Sequence, residues 1–247
     1  MKIPVASYQR RPSVNVIAAA QVDALAQVGA LAQQEALDAQ VSWAQPHVLY
    51  GPIKRFFDVI VAMIAILFLL VLLIPISVLL FLEDGGPPLY RGEAVGLNGR
   101  LFKVYKIRTM RRDADVYFDR HPELKAAFLE NYKLVNDPRI LAVGRLLRQT
   151  SLDELPQAIN VLLGDMSWVG PRYVKVAELE RYGAFAPLRL TMRPGITGLW
   201  QISGRSNLPY PLRVVYDRTY FYTRSLWTDC KIFWLTIPSI LKRDGAV

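Results

Sequence analysis

Two carboxylates stand side by side, Asp153 and Glu154, in the stretch RQTSLDELPQAINVLLGD, residues 148–165. Two readings fit them. Ser151 followed three residues later by Glu154 matches a capping box, and Asp153 would then sit in a first turn where the helix dipole favours negative charge. Pro156 points the other way, because proline prefers the first helical position. A helix that starts there leaves both acids in the preceding turn, at the helix mouth.

The surroundings favour chemistry. Arg145 and Arg148 lie upstream, and Arg172 follows in a Gly-Pro-Arg turn. Lys106 and Arg108 share a parity with Phe102 and Val104 along a predicted strand, which is odd for a purely structural face. Cations, a helix start and two acids suit phosphoryl transfer. A carboxylate can attack phosphorus to give an acyl phosphate, and arginine with a divalent ion neutralises the equatorial oxygens. Magnesium takes carboxylate and phosphate oxygens and needs no histidine. Only His47 and His121 are present, which argues against a zinc cluster or a Ser-His-Asp site.

Thirty Lys and Arg against 21 Asp and Glu give a net charge of +9 over 247 residues. Such a balance suits an anionic partner. The lone Cys230 rules out an intramolecular disulfide and suits a reducing compartment. Hydrophobic content of 52% and a mean hydropathy of +0.20 are high for a wholly soluble protein.

The elements that must position the acids can be read along the chain. Residues 1–50 form an Ala/Gln-rich leader, in which Val22, Leu25, Val28 and Leu31 recur at a weakly helical spacing. The apolar run comes too late for a secretory signal. Residues 51–84 hold 24 uncharged positions from Val59 to Leu82, long enough to cross a bilayer's hydrocarbon core. Lys54 and Arg55 precede the run, and Arg91, Arg100, Lys103, Lys106, Arg108, Arg111 and Arg112 follow it. The positive-inside rule keeps both flanks cytoplasmic, and Pro75 breaks the run. The segment therefore reads as a re-entrant hairpin, with a straight span as the alternative.

Residues 85–247 form the globular part. Asn98-Gly99 marks a β-hairpin turn. Helical patterns follow at about 113–132, 139–148 and 156–163, the last stopped by Gly164. WVGPRYV and RPGITGLWQISGRSNLP read as loops. The final stretch suits either a helix in the membrane interface, with Trp227, Phe233 and Trp234 at headgroup depth, or a closing core helix.

KRFFDVI, FKVYKIRTM, the run from Asn136 to Arg172, and RPGITGLWQISGR resemble motifs of the bacterial sugar transferases. These are monotopic polyprenyl-phosphate phosphoglycosyl transferases, and the chain is most similar to the exopolysaccharide starters of the succinoglycan galactosyl type. The resemblance covers about Lys54 to Leu241. It implies an α+β, mostly helical monotopic membrane enzyme with a re-entrant helix hairpin broken at Pro75, a small β-hairpin and amphipathic interfacial helices. It implies Asp153 as nucleophile on a UDP-sugar, with loss of UMP. Undecaprenyl phosphate then takes the sugar phosphate from the aspartyl intermediate. Glu154 would help Asp153 hold Mg2+ and orient or deprotonate a reacting group. Lys106, Arg108, Arg148 and Arg172 would grip phosphates, joined by Gln201 and Arg205 in the GLWQISGR loop. Asp217 and Asp229 match acidic positions near the family's end.

The implied setting is the cytoplasmic face of the bacterial inner membrane, among its lipids and without nucleic acid; a homodimer is compatible with this. The transferred sugar, galactose or glucose, is not legible. Two departures stand out. Ile74 occupies the place before Pro75 where the family often has serine, and GPRY replaces Gly-Pro-Arg-Pro, so Tyr173 is expected to loosen the turn after Arg172. The competing reading is a membrane-anchored basic module that binds anionic lipid or nucleic acid without catalysis; it leaves the paired acids unexplained.

Overall fold

A computed structural model describes residues 49–131, 134 and 136–242. The leader proposed for residues 1–50 lies almost wholly outside them. The structure is mostly helical with one small antiparallel hairpin, as expected.

Helix α1, Tyr50–Asp84, is a single helix that continues through Pro75. The expected hairpin reversal is therefore not seen in this element. Proline removes one main-chain hydrogen bond, and the Ser77 hydroxyl donates to the Leu73 carbonyl just there. The helix stops at Gly85, whose left-handed φ of 64° is followed by Gly86 and two prolines.

The buried positions of α1 are Asp58, Ala62, Ala65, Leu69, Ile76 and Leu80. Their spacing of three, four or seven residues puts them on one face. Ala62 and Ala65 pack with Phe102, Val104, Ala158 and Val161. Leu69, Ile76 and Leu80 pack with Ile107, Leu141 and Leu147. The opposite face, including Leu67, Val71, Ile74, Phe81 and Leu82, is apolar and at least two-thirds exposed.

Strands β1, Leu89–Val95, and β2, Leu101–Ile107, pair antiparallel in register from Leu89↔Ile107 to Val95↔Leu101. Asn98 and Gly99, at φ 54° and 77°, turn the chain between them as expected. Next come α2, Ala114–Arg120, and α3, Pro122–Asn131. The single helix anticipated at 113–132 is split because His121 precedes a proline and leaves the helical region. Helix α4, Ala142–Thr150, ends at Ser151 in the left-handed conformation. A 3-10 turn, Leu152–Glu154, then leads to α5, Gln157–Leu163, capped by Gly164 at φ 85°.

The two stretches read as loops hold more order than their sequence suggested. Ser167–Val169 is strand β3 and Gly195–Thr197 is strand β4, paired parallel. Between them lie the 3-10 segment Val176–Phe185 and α6, Ala186–Arg189; α7, Leu199–Ser203, follows. Three-residue strands are too short to show a period. Gly170 and Gly195 allow the close approach: a Cβ on Gly170 would meet the Arg193 carbonyl at 2.7 Å, and one on Gly195 the Gly170 nitrogen at 2.2 Å.

Helices α8, Tyr210–Thr223, and α9, Leu226–Lys242, close the fold. The closing-core reading of the final stretch holds for one face of α9, and Phe233, expected at headgroup depth, belongs to that inner face. Ile232 is buried, and Phe233 turns inward against Trp168, while Trp227 and Trp234 are exposed.

Candidate active site

The dyad occupies the 3-10 turn before α5, with Pro156 as the residue preceding the helix. The capping box does not form. Ser151 has a φ of 57°, makes no side-chain cap, and instead accepts a hydrogen bond from Arg205 Nη2 at 2.8 Å. A non-glycine residue in this region is strained, so the turn carrying the acids is held by its surroundings.

Three other elements converge on it. Strand β2 delivers Lys106, whose Nζ lies 3.0 Å from Glu154 Oε1. The bend after β3 delivers Arg172, which donates from Nη1 to Glu154 Oε2 at 3.0 Å and from Nη2 to Oε1. Arg172 itself is fixed by a bridge to Gly195 and by Arg189, fully buried, which donates to its carbonyl oxygen. Helix α4 brings Arg148, whose Nε donates to Thr109 Oγ1 at 2.9 Å.

The two acids are charged unequally. Both are buried, which disfavours ionisation. For Glu154 the adjacent Arg172 and Lys106 overcome burial and hold its carboxyl far below the usual range. Glu154 in turn overcomes the burial of Lys106 and of Arg172 and keeps both firmly protonated. For Asp153, burial outweighs the attraction of Lys106, and Glu154's charge adds to the burial effect, so the carboxyl is pushed up from 3.8 to about 6. Among the described residues its oxygens accept no hydrogen bond and close no ion pair.

The remaining expected residues divide. Arg205 lies close enough to feel both acids; burial lowers its pKa and those charges partly restore it. Its Nη1 and both amide atoms of Gln201 are buried without a partner among the described residues. Arg108 is not at the dyad: it pairs with Asp84 and donates to the carbonyls of Gly85 and Pro87, tying β2 to the end of α1. Asp217 and Asp229 also stay away. Asp217 accepts from Tyr182 Oη at 2.8 Å. Asp229 takes Lys54, Tyr50 and Tyr220 at 2.6, 2.9 and 2.7 Å, clamping α1 to α8 and α9.

The residues not anticipated are Thr109, Arg189 and Gln157; the Gln157 amide is fully buried with both atoms unpartnered. Position within FKVYKIRTM and within the run from Asn136 to Arg172 was the only available signal for Thr109 and Gln157, and none marked Arg189. The turn after Arg172 is not loose either, since Val174 pairs with Val95.

An exposed apolar helix face thus belongs to the same fold as a site with one unpaired carboxylate, one cation-bound carboxylate and three arginines, Arg148, Arg172 and Arg205, near them. Residues 49–243 match the model of the family described as bacterial sugar transferase, and the chain belongs to that family. It is 45% identical over 198 residues to a UDP-galactose-lipid carrier transferase of Erwinia amylovora, covering 78% of this chain and 41% of that protein. It is 42% identical over 200 residues to the exopolysaccharide production protein ExoY of Rhizobium meliloti, covering 79% and 88%. It is 38% identical over 198 residues to a UDP-glucose:undecaprenyl-phosphate glucose-1-phosphate transferase of Escherichia coli, covering 75% and 39%. The chain thus spans about two-fifths of the first and third of these relatives and most of the second.

Proposed function

We propose that the protein transfers a sugar 1-phosphate from a UDP-sugar to undecaprenyl phosphate, in the opening membrane step of exopolysaccharide synthesis. The observation that carries this reading is the unequal dyad. A carboxylate that is buried, unpaired and raised to about 6 is ionised at neutral pH yet more basic than an ordinary aspartate. A free oxygen of this kind is what an attack on phosphorus needs. Family membership and the printed activities of the relatives support the substrate classes.

In the first half-reaction an Asp153 oxygen bonds to the β-phosphorus, and the bond from that phosphorus to the bridging oxygen breaks. UMP leaves with the bridging oxygen and its electron pair. In the second, a phosphate oxygen of undecaprenyl phosphate attacks the same phosphorus, and the Asp153 carboxylate is released. Both attacking groups are anions, so neither step needs a base. Glu154, held strongly ionised, is a poor proton acceptor. Its role in this account is to hold Lys106 and Arg172 where charge develops on the transferring phosphoryl group. Arg148 and Arg205, close enough to feel both acids, complete the cradle, and Gln201 is proposed to join them from α7.

Among the described residues no three His, Cys, Asp or Glu side chains cluster. Magnesium commonly binds through one or two carboxylates plus substrate phosphates, and Asp153's free carboxylate fits that requirement. Glu154 does not fit in this arrangement, since both its oxygens already accept from cations. Magnesium bound with the diphosphate would supply further charge neutralisation.

The apolar outer face of α1 and the exposed tryptophans of α9 support burial in lipid. Both ends of α1 hold the same globular body: Lys54 pairs with Asp229, and Glu83 accepts from the Ala142 and Val143 nitrogens. A helix that crossed would have its ends separated by about 30 Å of hydrocarbon. The reading that follows is a helix sunk into one leaflet, bent at Pro75, with both ends on the cytoplasmic face of the inner membrane.

Intact-mass analysis tests the proposal. Enzyme given UDP-galactose or UDP-glucose with magnesium but no lipid should gain one hexose phosphate on Asp153 and release one UMP. Transfer that proceeds with Asp153→Asn, or release of UMP without an adduct on the wild-type protein, would overturn it.

A further inference from the structure

Tyr173 stands in the last place of Gly170-Pro171-Arg172-Tyr173, and its ring faces two cations at once. Lys106 Nζ lies 5.5 Å and Arg172 Cζ 5.0 Å from the ring centroid. These are the two cations that grip Glu154. The ring is not on a free loop. On one side Arg172 bridges Gly195, on the other Val174 bridges Val95, and the ring packs on the cluster that includes Phe102 and Val104.

Two like charges converging on one carboxylate repel each other, and the single charge of Glu154 offsets only one of them. A second acid at position 173 would relieve that repulsion, but it would also cancel the positive charge and repel an incoming phosphate. The negative face of an aromatic ring attracts cations without carrying net charge. It can therefore hold two cations together and leave their charge available.

We propose that Tyr173 is a positioning residue whose ring face holds the Lys106 ammonium and the Arg172 guanidinium in the arrangement that receives the substrate's phosphate. The statement about phosphate rests on the proposed function; the statement about the ring and Lys106 does not.

The test compares Tyr173→Phe, Tyr173→Leu and a trifluorinated phenylalanine at 173, which keeps the ring's shape and weakens its negative face. One readout is the rate of UMP release from UDP-galactose or UDP-glucose. The other is the rate at which an amine-reactive acylating reagent modifies Lys106 in the substrate-free protein, followed by peptide mass spectrometry. Tyr173→Phe should restore UMP release to within about twofold of wild type, while the leucine and fluorinated variants lose roughly tenfold in kcat/KM. Lys106 should be acylated severalfold faster in those two variants, with the other lysines unchanged.

A phenylalanine variant as impaired as leucine would overturn the proposal in favour of the hydroxyl. A fluorinated variant equal to phenylalanine, or unchanged Lys106 acylation, would reduce the ring to packing. Wild-type protein that releases no UMP from any UDP-sugar would defeat the proposed function, and the acylation pattern would still decide the role of the ring.

Discussion

Glu154 accepts hydrogen bonds from both Lys106 and Arg172, whereas Asp153, the residue before it, accepts none among the described residues. One acid is taken up by two cations and the other is left without a partner among the described residues. The two should therefore respond in opposite ways to the loss of their charge.

Asp153→Asn should abolish UMP release and raise thermal stability. The folded carboxyl is raised from 3.8 to about 6, so its stability contribution is full below about pH 4 and is lost as pH rises through about 6. At neutral pH the ionised group opposes folding by roughly 1–3 kcal/mol, and a neutral amide removes that cost. Glu154→Gln should do the reverse to stability, leaving two nearly buried cations without their counter-charge at a cost of about 3 kcal/mol. Denaturant melts of the two variants side by side check both signs; a less stable Asp153→Asn would contradict them.

The first half-reaction should follow the ionisation of Asp153. Single-turnover UMP release should climb tenfold per pH unit on the acid side and level off above about pH 6. In Glu154→Gln the acid limb should move to lower pH, because a neighbouring negative charge is lost and Lys106 and Arg172 are freed towards Asp153. A limb that stays in place or moves up would show that the limb belongs to another group.

The two faces of α1 should differ sharply. Leu67 is 67% exposed and Ala62 fully buried. Leu67→Lys should leave the detergent-solubilised fold and its melting temperature nearly unchanged while shifting protein from the membrane fraction to the soluble one. Ala62→Lys should prevent folding in either setting, because it drives a charge into the contact with Phe102 and Val161. Equal behaviour of the two variants in membrane fractionation would mean that the outer face does not meet lipid.

Gly144 is where α4 rests on the end of the hairpin. A Cβ there would meet the Thr109 carbonyl oxygen at 2.1 Å. Gly144→Ala should destabilise by about 1–3 kcal/mol through overpacking. It should also lower activity in the fraction that still folds, since Arg148 on α4 is hydrogen-bonded to Thr109. A chemical melt paired with a UMP-release assay separates the two effects.

Much of the fold was legible because short-range rules act on it directly. Asn98-Gly99 turned the hairpin, Gly164 ended α5, and the parity of Lys106 with Phe102 and Val104 put all three on the inward face. Strands β3 and β4 escaped because three residues show no period and their partners lie 28 positions apart. The capping-box spacing at Ser151 and Glu154 misled for a related reason. It describes a local option, and Arg205, 54 residues away, took the hydroxyl that the cap would have used. Arg108 shares the parity of Lys106, yet two residues further on, just past the end of β2, it meets Asp84 rather than Glu154.

By itself the sequence determined the long apolar segment, the β-hairpin, the paired acids among cations and the family they belong to. Each of these depends on residue type and spacing within a few positions, where side-chain geometry and backbone preference are nearly fixed. Only the tertiary structure decided that Glu154 rather than Asp153 holds Lys106 and Arg172, that Arg108, Asp217 and Asp229 pair with Asp84, Tyr182 and Lys54, and that Tyr173 lies against both site cations. Those pairings join residues tens of positions apart, and burial, which sets both the strength of a charge and the partner it can reach, exists only once the chain has closed on itself.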